Sequence, residues 1–141
     1  MRQAIGIIAA LAVAGGIAAG VSSAGAHHSM VMYDRTKTVT LHGTVVELVW
    51  SNPHVFLRVN GRIADHGPSA VWTLETSGPT NLTRLPGWSA TALKPGDRVR
   101  VEINPLREGE QRSARLTRVT VLDTGLELGT AYQDLDLVRP K

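Results

Sequence analysis

The sequence predicts an all-β fold: a small five-stranded Greek-key barrel of the OB type with one short helical connection, behind a signal peptide. Three observations predict it. Five segments alternate apolar and polar residues with a period of two. The first is long and changes phase near a glycine, as a strand does when it bends to pair with two neighbours. One short break with helix-capping residues separates the third strand from the fourth, the order expected of an OB barrel. A flat sheet or small sandwich is the competing architecture.

The leader comes first. Met1-Arg2-Gln3 is a short positive start, Ala4 to Val21 is an uncharged run of Ala, Ile, Leu and Gly, and Ala24-Gly25-Ala26 supplies a small-x-small cleavage pattern. Residues 1–26 thus read as a secretory signal, and cleavage after Ala26 makes His27 the first mature residue. Residues 27–36 lack periodicity and read as an extended, histidine-containing segment over the domain.

The barrel reads as residues 37–129. Lys37 to Trp50 is the long first strand, its apolar phase running through Val39 and Leu41 and, beyond Gly43, through Val46, Leu48 and Trp50. That phase change places a bulge or bend at Gly43. Ser51-Asn52-Pro53 is a turn. Val55, Leu57 and Val59 mark the second strand, and Ala70, Trp72 and Leu74 the third. Thr80 or Asn81 caps a short helical turn through Leu85, which Pro86-Gly87 stops. Lys94-Pro95-Gly96-Asp97 is a tight turn. Val99, Val101 and Ile103 define the fourth strand, Glu108-Gly109-Glu110 a hairpin tip, and Ala114 to Leu122 the fifth strand with a phase slip between Leu116 and Val119. A short strand at 126–128 follows, and residues 130–141 form a C-terminal tail.

Composition narrows the chemistry. The chain has 141 residues, enough for one domain at about 100–200 residues each, and its 43% hydrophobic and 19% charged content is globular. It contains no Cys, which excludes disulfides, thiolate metal sites, Cys nucleophiles and a lipoprotein anchor. The net charge of +3 is scattered along the chain and does not point to nucleic acid. No Ser-His-Asp order, phosphate loop, carboxylate dyad or HExxH is present, so no residue is assigned a catalytic role.

Three constellations carry candidate chemistry. The first is His27-His28. Cleavage after Ala26 gives His27 a free α-amine of pKa near 7.7–8.0, which a metal can deprotonate. That amine and two imidazoles make a three-nitrogen set suited to Cu(II). Cleavage after Gly25 instead yields Ala26-His27-His28, again a square-planar copper or nickel chelate. Met30 and Met32 add thioethers suited to Cu(I). The second is Trp50-Ser51-Asn52-Pro53-His54, in which proline presents His54 at a rigid turn. His54 is therefore the third candidate ligand; the alternative is a turn histidine whose ring bonds to backbone or to Glu75. The third is Trp72-Thr73-Leu74-Glu75, where Glu75 can orient a ligand histidine or stand as a solvated strand charge. Asn52 and Asp34 are further candidates for such supporting contacts. Trp50 and Trp88 mark a candidate binding face at the barrel end, against a packing role for Trp88. Arg98, Arg100, Arg112, Arg115 and Arg118 read as solvated positions, and His42 and His66 as surface residues.

The combination of His-His-Ser with Tyr33-Asp34, Gly43-Thr44-Val45, Trp50-Ser-Asn-Pro-His54, Trp72-Thr-Leu-Glu75, Gly87-Trp88 and Leu93-Lys-Pro-Gly-Asp97 resembles the family of small exported bacterial proteins called domain of unknown function 6152. The resemblance covers nearly the whole mature chain. It implies a periplasmic or secreted protein and carries no assigned activity. Asp123-Thr124-Gly125-Leu126 departs from the shorter Asp-Gly turn of the family.

The function these residues suggest is a periplasmic or secreted copper-binding carrier, buffer or sensor with His27, His28 and His54 as ligands. The alternatives are an exported binding module for a peptide, glycan or envelope protein, and a copper-dependent oxidoreductase. The expected partners are a metal ion or an envelope protein, with no nucleic acid and no membrane after signal cleavage.

Overall fold

A computed structural model describes residues 30–63, 67–109 and 111–131. The leader, His27, His28, His66 and most of the tail lie outside the described residues. Six strands form: β1 (Val39–Val49), β2 (Phe56–Ile63), β3 (Ala70–Glu75), β4 (Arg98–Pro105), β5 (Ser113–Val121) and β6 (Glu127–Gly129). A four-residue helix α1 (Pro79–Leu82) lies between β3 and β4.

The strands are ordered β3-β2-β1-β4-β5-β6, and β3 also pairs with β5. That parallel pairing, Thr73–Glu75 against Ser113–Arg115, closes five strands into the predicted barrel. Closure removes the open edges that would otherwise invite pairing with other chains. β6 extends β5 as a short flap.

β1 is the hinge of this closure, because it pairs with β2 along most of its length and with β4 over Val39–Thr44. The bulge sits elsewhere than the sequence suggests. Pairing with β2 stays in register through Gly43 and Val45, and slips between Val45 and Glu47. Val45 therefore points inward and Val46 outward, after which Leu48 and Trp50 return to the core side. The Val45-Val46 pair conceals the slip, since either valine satisfies the alternation.

Gly43 serves close approach instead. It lies opposite Gly61 in β2 and Val99 in β4. A Cβ there would stand 2.4 Å from the Asn60 carbonyl oxygen and 2.7 Å from Gly61 Cα, both backbone atoms with no rotamer to yield. Gly43→Ala should lower unfolding stability by about 1–3 kcal/mol, the range for overpacking, in a urea titration. An unchanged midpoint would show that the strands can spread there at no cost.

The slip in β5 falls where the sequence places it. Glu102 pairs with Arg118 and Ile103 with Leu116, so Thr117 is the extra residue. Its hydroxyl donates to the Glu102 carbonyl at 2.9 Å, satisfying a group that the bulge removes from the ladder.

The helical turn is shorter than expected. After Leu82 the chain tightens, with Arg84 N–H bonded to Asn81 O and Leu85 N–H to Leu82 O, before Gly87 turns at φ 82°. Leu82 and Leu85 still enter the core beside Leu57, Leu74, Ile103 and Leu116. Among the described residues no helix is long and apolar enough to cross a membrane. The divergent last turn forms a closed hairpin. Gly125 N–H donates to Val121 O, Val121 N–H to Leu126 O, and β6 pairs with β5 through Leu128 and Val119.

Candidate functional site

The site is built where the turn after β1 meets the end of β3. The Asn52–Pro53 peptide is cis, and His54 follows it. Val55 N–H donates to Ser77 O and Thr76 N–H to Val55 O, so the segment entering β2 is laced to the segment leaving β3. Gly78 leaves room for this contact: a Cβ on it would lie 2.6 Å from the Pro53 carbonyl oxygen.

This backbone frame fixes the His54 ring. Nδ1 lies 2.9 Å from the Thr76 carbonyl oxygen and 3.3 Å from Glu75 Oε1. A carbonyl oxygen only accepts, so Nδ1 carries the proton, and in the neutral ring the lone pair is on Nε2. Among the described residues Nε2 has no hydrogen-bond partner. The side chain keeps 15% of its surface exposed. The geometry is that of the turn histidine whose ring is held by backbone and by Glu75, with Nε2 left without a partner among the described residues.

Glu75 is buried, not a solvated strand charge. Its Oε1 faces His54, and its Oε2 accepts a 2.7 Å hydrogen bond from the Tyr33 hydroxyl. Tyr33 is the residue that sequence reasoning missed. It is 1% exposed and also lies 3.5 Å from Ser113 Oγ at the start of β5. Burial pushes its phenol up to about 12, opposed by the Ser113 contact and reinforced by Glu75.

Tyr33 is held by a strap. Residues 33 and 106 form an antiparallel bridge, Asp34 N–H donates to Pro105 O, and Arg107 N–H donates to Met32 O. Arg107 Nε donates to Val31 O, and the buried Asn104 amide donates to Lys37 O. The segment predicted as extended thus runs along the end of β4, beginning with a 3-10 turn at Met30–Met32. It delivers its one aromatic side chain into the barrel beside the His54–Glu75 pair.

An unfolded tyrosine ionises near 10 and Tyr33 near 12. The stability drawn from its burial is therefore complete below pH 10 and lost as pH rises through the interval to about 12. Spectrophotometric titration of the Tyr132→Phe variant, in which Tyr33 is the sole tyrosine, should show phenolate formation displaced to that interval. Ionisation near 10 would contradict a sealed Tyr33–Glu75 contact.

The other candidates fall in different places. Asn52 is exposed on the turn. The Asp34 carboxylate is engaged locally: it accepts from the Thr36 hydroxyl and amide at 2.6 and 3.1 Å, and Lys37 lies 3.4 Å away. The Thr36 bonds, with Lys37 adding to them, hold its carboxyl below the ordinary range. Trp88 is buried, with its indole N–H donated to Gly129 O at 2.8 Å. It has the packing role, because no ring face is left for a ligand. Trp50 is half-buried and leans on Trp88, ring centroids 6.4 Å apart. Among the described residues no group of three or more His, Asp or Glu is assembled to hold a metal. His54, with Glu75 behind it, is the single imidazole that the described part of the site presents.

No curated protein and no solved structure matches this chain. A family model does, over residues 14–115, ending in the first residues of β5. The chain belongs to the family of unknown function DUF6152.

Proposed function

We propose that this protein is an exported copper-binding protein, a carrier, buffer or sensor, in which the processed chain end brings His27 and His28 to the Nε2 atom of His54. One observation carries the reading: His54 is held through Nδ1 by a backbone carbonyl and a buried carboxylate. Metal-ligating histidines are oriented in this way, with the second nitrogen donated to a carbonyl or carboxylate and the first left as a ligand.

The strap supports the reading. Tyr33 stands five positions after His28 and ends on the same Glu75 carboxylate that faces His54. Five residues span at most about 18 Å at 3.3–3.6 Å each. That reach is long enough for the chain end to fold back onto His54. The free α-amine that processing after Ala26 creates completes a nitrogen-rich set of the kind Cu(II) prefers.

Titration of the processed protein with Cu(II) against a competing chelator tests this reading. One equivalent should bind tightly, and both His27→Ala and His54→Ala should abolish the tight phase. Weak binding that these substitutions leave unchanged would rule it out.

A further inference from the structure

The outer face of the barrel on β1, away from His54, carries a second feature. The sheet elsewhere sets opposite charges against each other across strands. Glu47 faces Arg58 with a 2.6 Å bond, and Glu102 faces Arg118 at 3.9 Å. The row through His42 breaks this pattern. His42 on β1 lies opposite Arg62 on β2 and opposite Arg100 on β4. Two guanidiniums thus flank one imidazole on one face, with no carboxylate opposite His42 on either strand. Among the described residues neither Arg62 nor Arg100 forms an ion pair.

The neighbouring row adds neutral donors and a third guanidinium. Thr44 lies opposite Asn60 on one side and Arg98 on the other. Arg98 is already paired with Asp123. A groove of about 370 Å³ is lined by His42, Thr44, Asn60, Arg62, Ser69 and Arg98 among others, and Arg100 stands outside its lining at the position on β4 opposite His42. That is within the range of about 300–1,000 Å³ that small-molecule sites occupy.

We infer that this groove binds the phosphate group of a small phosphorylated ligand, with Arg62 and Arg100 closing on it over His42. Phosphate fits better than carboxylate. It carries close to two charges and offers oxygens on several sides, so it can engage two guanidiniums in forked contacts and still accept from Thr44, Asn60 or Ser69. A carboxylate satisfies one fork. An anion seated here gives both guanidiniums the partner that the described residues do not supply. The inference is independent of the copper proposal, since no residue is shared.

The test is calorimetric titration of the full-length protein with glucose 6-phosphate, at fixed ionic strength in chloride, with glucose as the neutral control. Saturable binding is expected for the phosphate ester and none for glucose. The imidazole resonances of His42 should move with occupancy. The Arg62→Gln/Arg100→Gln double variant should lose at least tenfold in affinity, and Arg112→Gln, on an exposed position outside the groove, should not change it. All three positions are exposed, and thermal melts without phosphate should show the double variant at or above the wild-type Tm. Failure to saturate, equal binding of glucose, or unchanged affinity in the double variant would overturn the inference.

Discussion

Replacing His54 with Ala should weaken Cu(II) binding by the processed protein at least a hundredfold while leaving the barrel folded. In the proposed function the ring is the scaffold's contribution to the ligand set. It is held by Thr76 O at 2.9 Å and by Glu75 at 3.3 Å, so it needs no ordering when the metal arrives. Loss of supporting contacts alone typically costs 10–100-fold in metal affinity, and loss of the ligand itself should cost more. Glu75→Gln gives the intermediate case. The amide can still accept from Tyr33 but no longer offers His54 a carboxylate charge, so a loss of about 10–100-fold is expected from the supporting role alone. The order wild type, Glu75→Gln, His54→Ala is the signature to look for in competition titrations. Near-ultraviolet circular dichroism should stay unchanged in His54→Ala. A variant that binds copper as tightly as the wild type would place the metal, if any, on the chain end alone.

Leu57→Ala should be among the most costly single changes to the fold. Leu57 is fully buried, and it is paired with Leu48 of β1 and Leu74 of β3 at the centre of the barrel wall. Truncating a buried leucine costs about 2–5 kcal/mol, because the transfer energy of the lost atoms is joined by the cavity left behind. Domains of this size have about 5–15 kcal/mol in total. The variant should therefore shift the urea midpoint far down with the slope unchanged. Val71→Ala is the control. Val71 is 42% exposed on β3, and its loss should stay within about 0.5 kcal/mol. Equal effects at the two positions would contradict the inward placement of Leu57 and the outward placement of Val71.

These expectations show which parts of the molecule can be read from residues alone. The strands were legible because a barrel wall buries one face, and period-two alternation records that directly. The slip at Thr117 was legible because Leu116 and Val119 cannot both face inward without an extra residue between them. The slip in β1 was misplaced from Gly43 to its true position beyond Val45, because Val45-Val46 hides the phase and a glycine in a strand signals either a bulge or a close approach. Here the glycine marks the approach of β1 to Gly61. The helix was overextended because Leu82 and Leu85 have helical spacing, while the backbone after Leu82 closes in tighter turns.

The site was half legible. Proline before a histidine, and a glutamate ending a strand, suggested His54 and Glu75 and a contact between them, and the fold makes that contact. Their link to Tyr33 was not visible. Its segment has no periodicity, and the contact spans 42 positions in sequence. The available signal was compositional: in a chain with only six aromatic residues, one placed in an irregular segment has a specific place to go. Asp34, beside it, was a candidate for a supporting contact but turns back on Thr36, as short acidic side chains often do in loops. Trp88 illustrates the converse: its indole N–H reaches a carbonyl of β6, a pairing that depends on where the last hairpin folds.

Native mass spectrometry of the protein recovered from cells grown with trace copper tests the account most directly. The account predicts the mass of residues 27–141 with one copper ion retained, and loss of that ion in the His54→Ala protein. A mass that includes the leader, or a processed chain that leaves the cell without metal and takes up none, would contradict it.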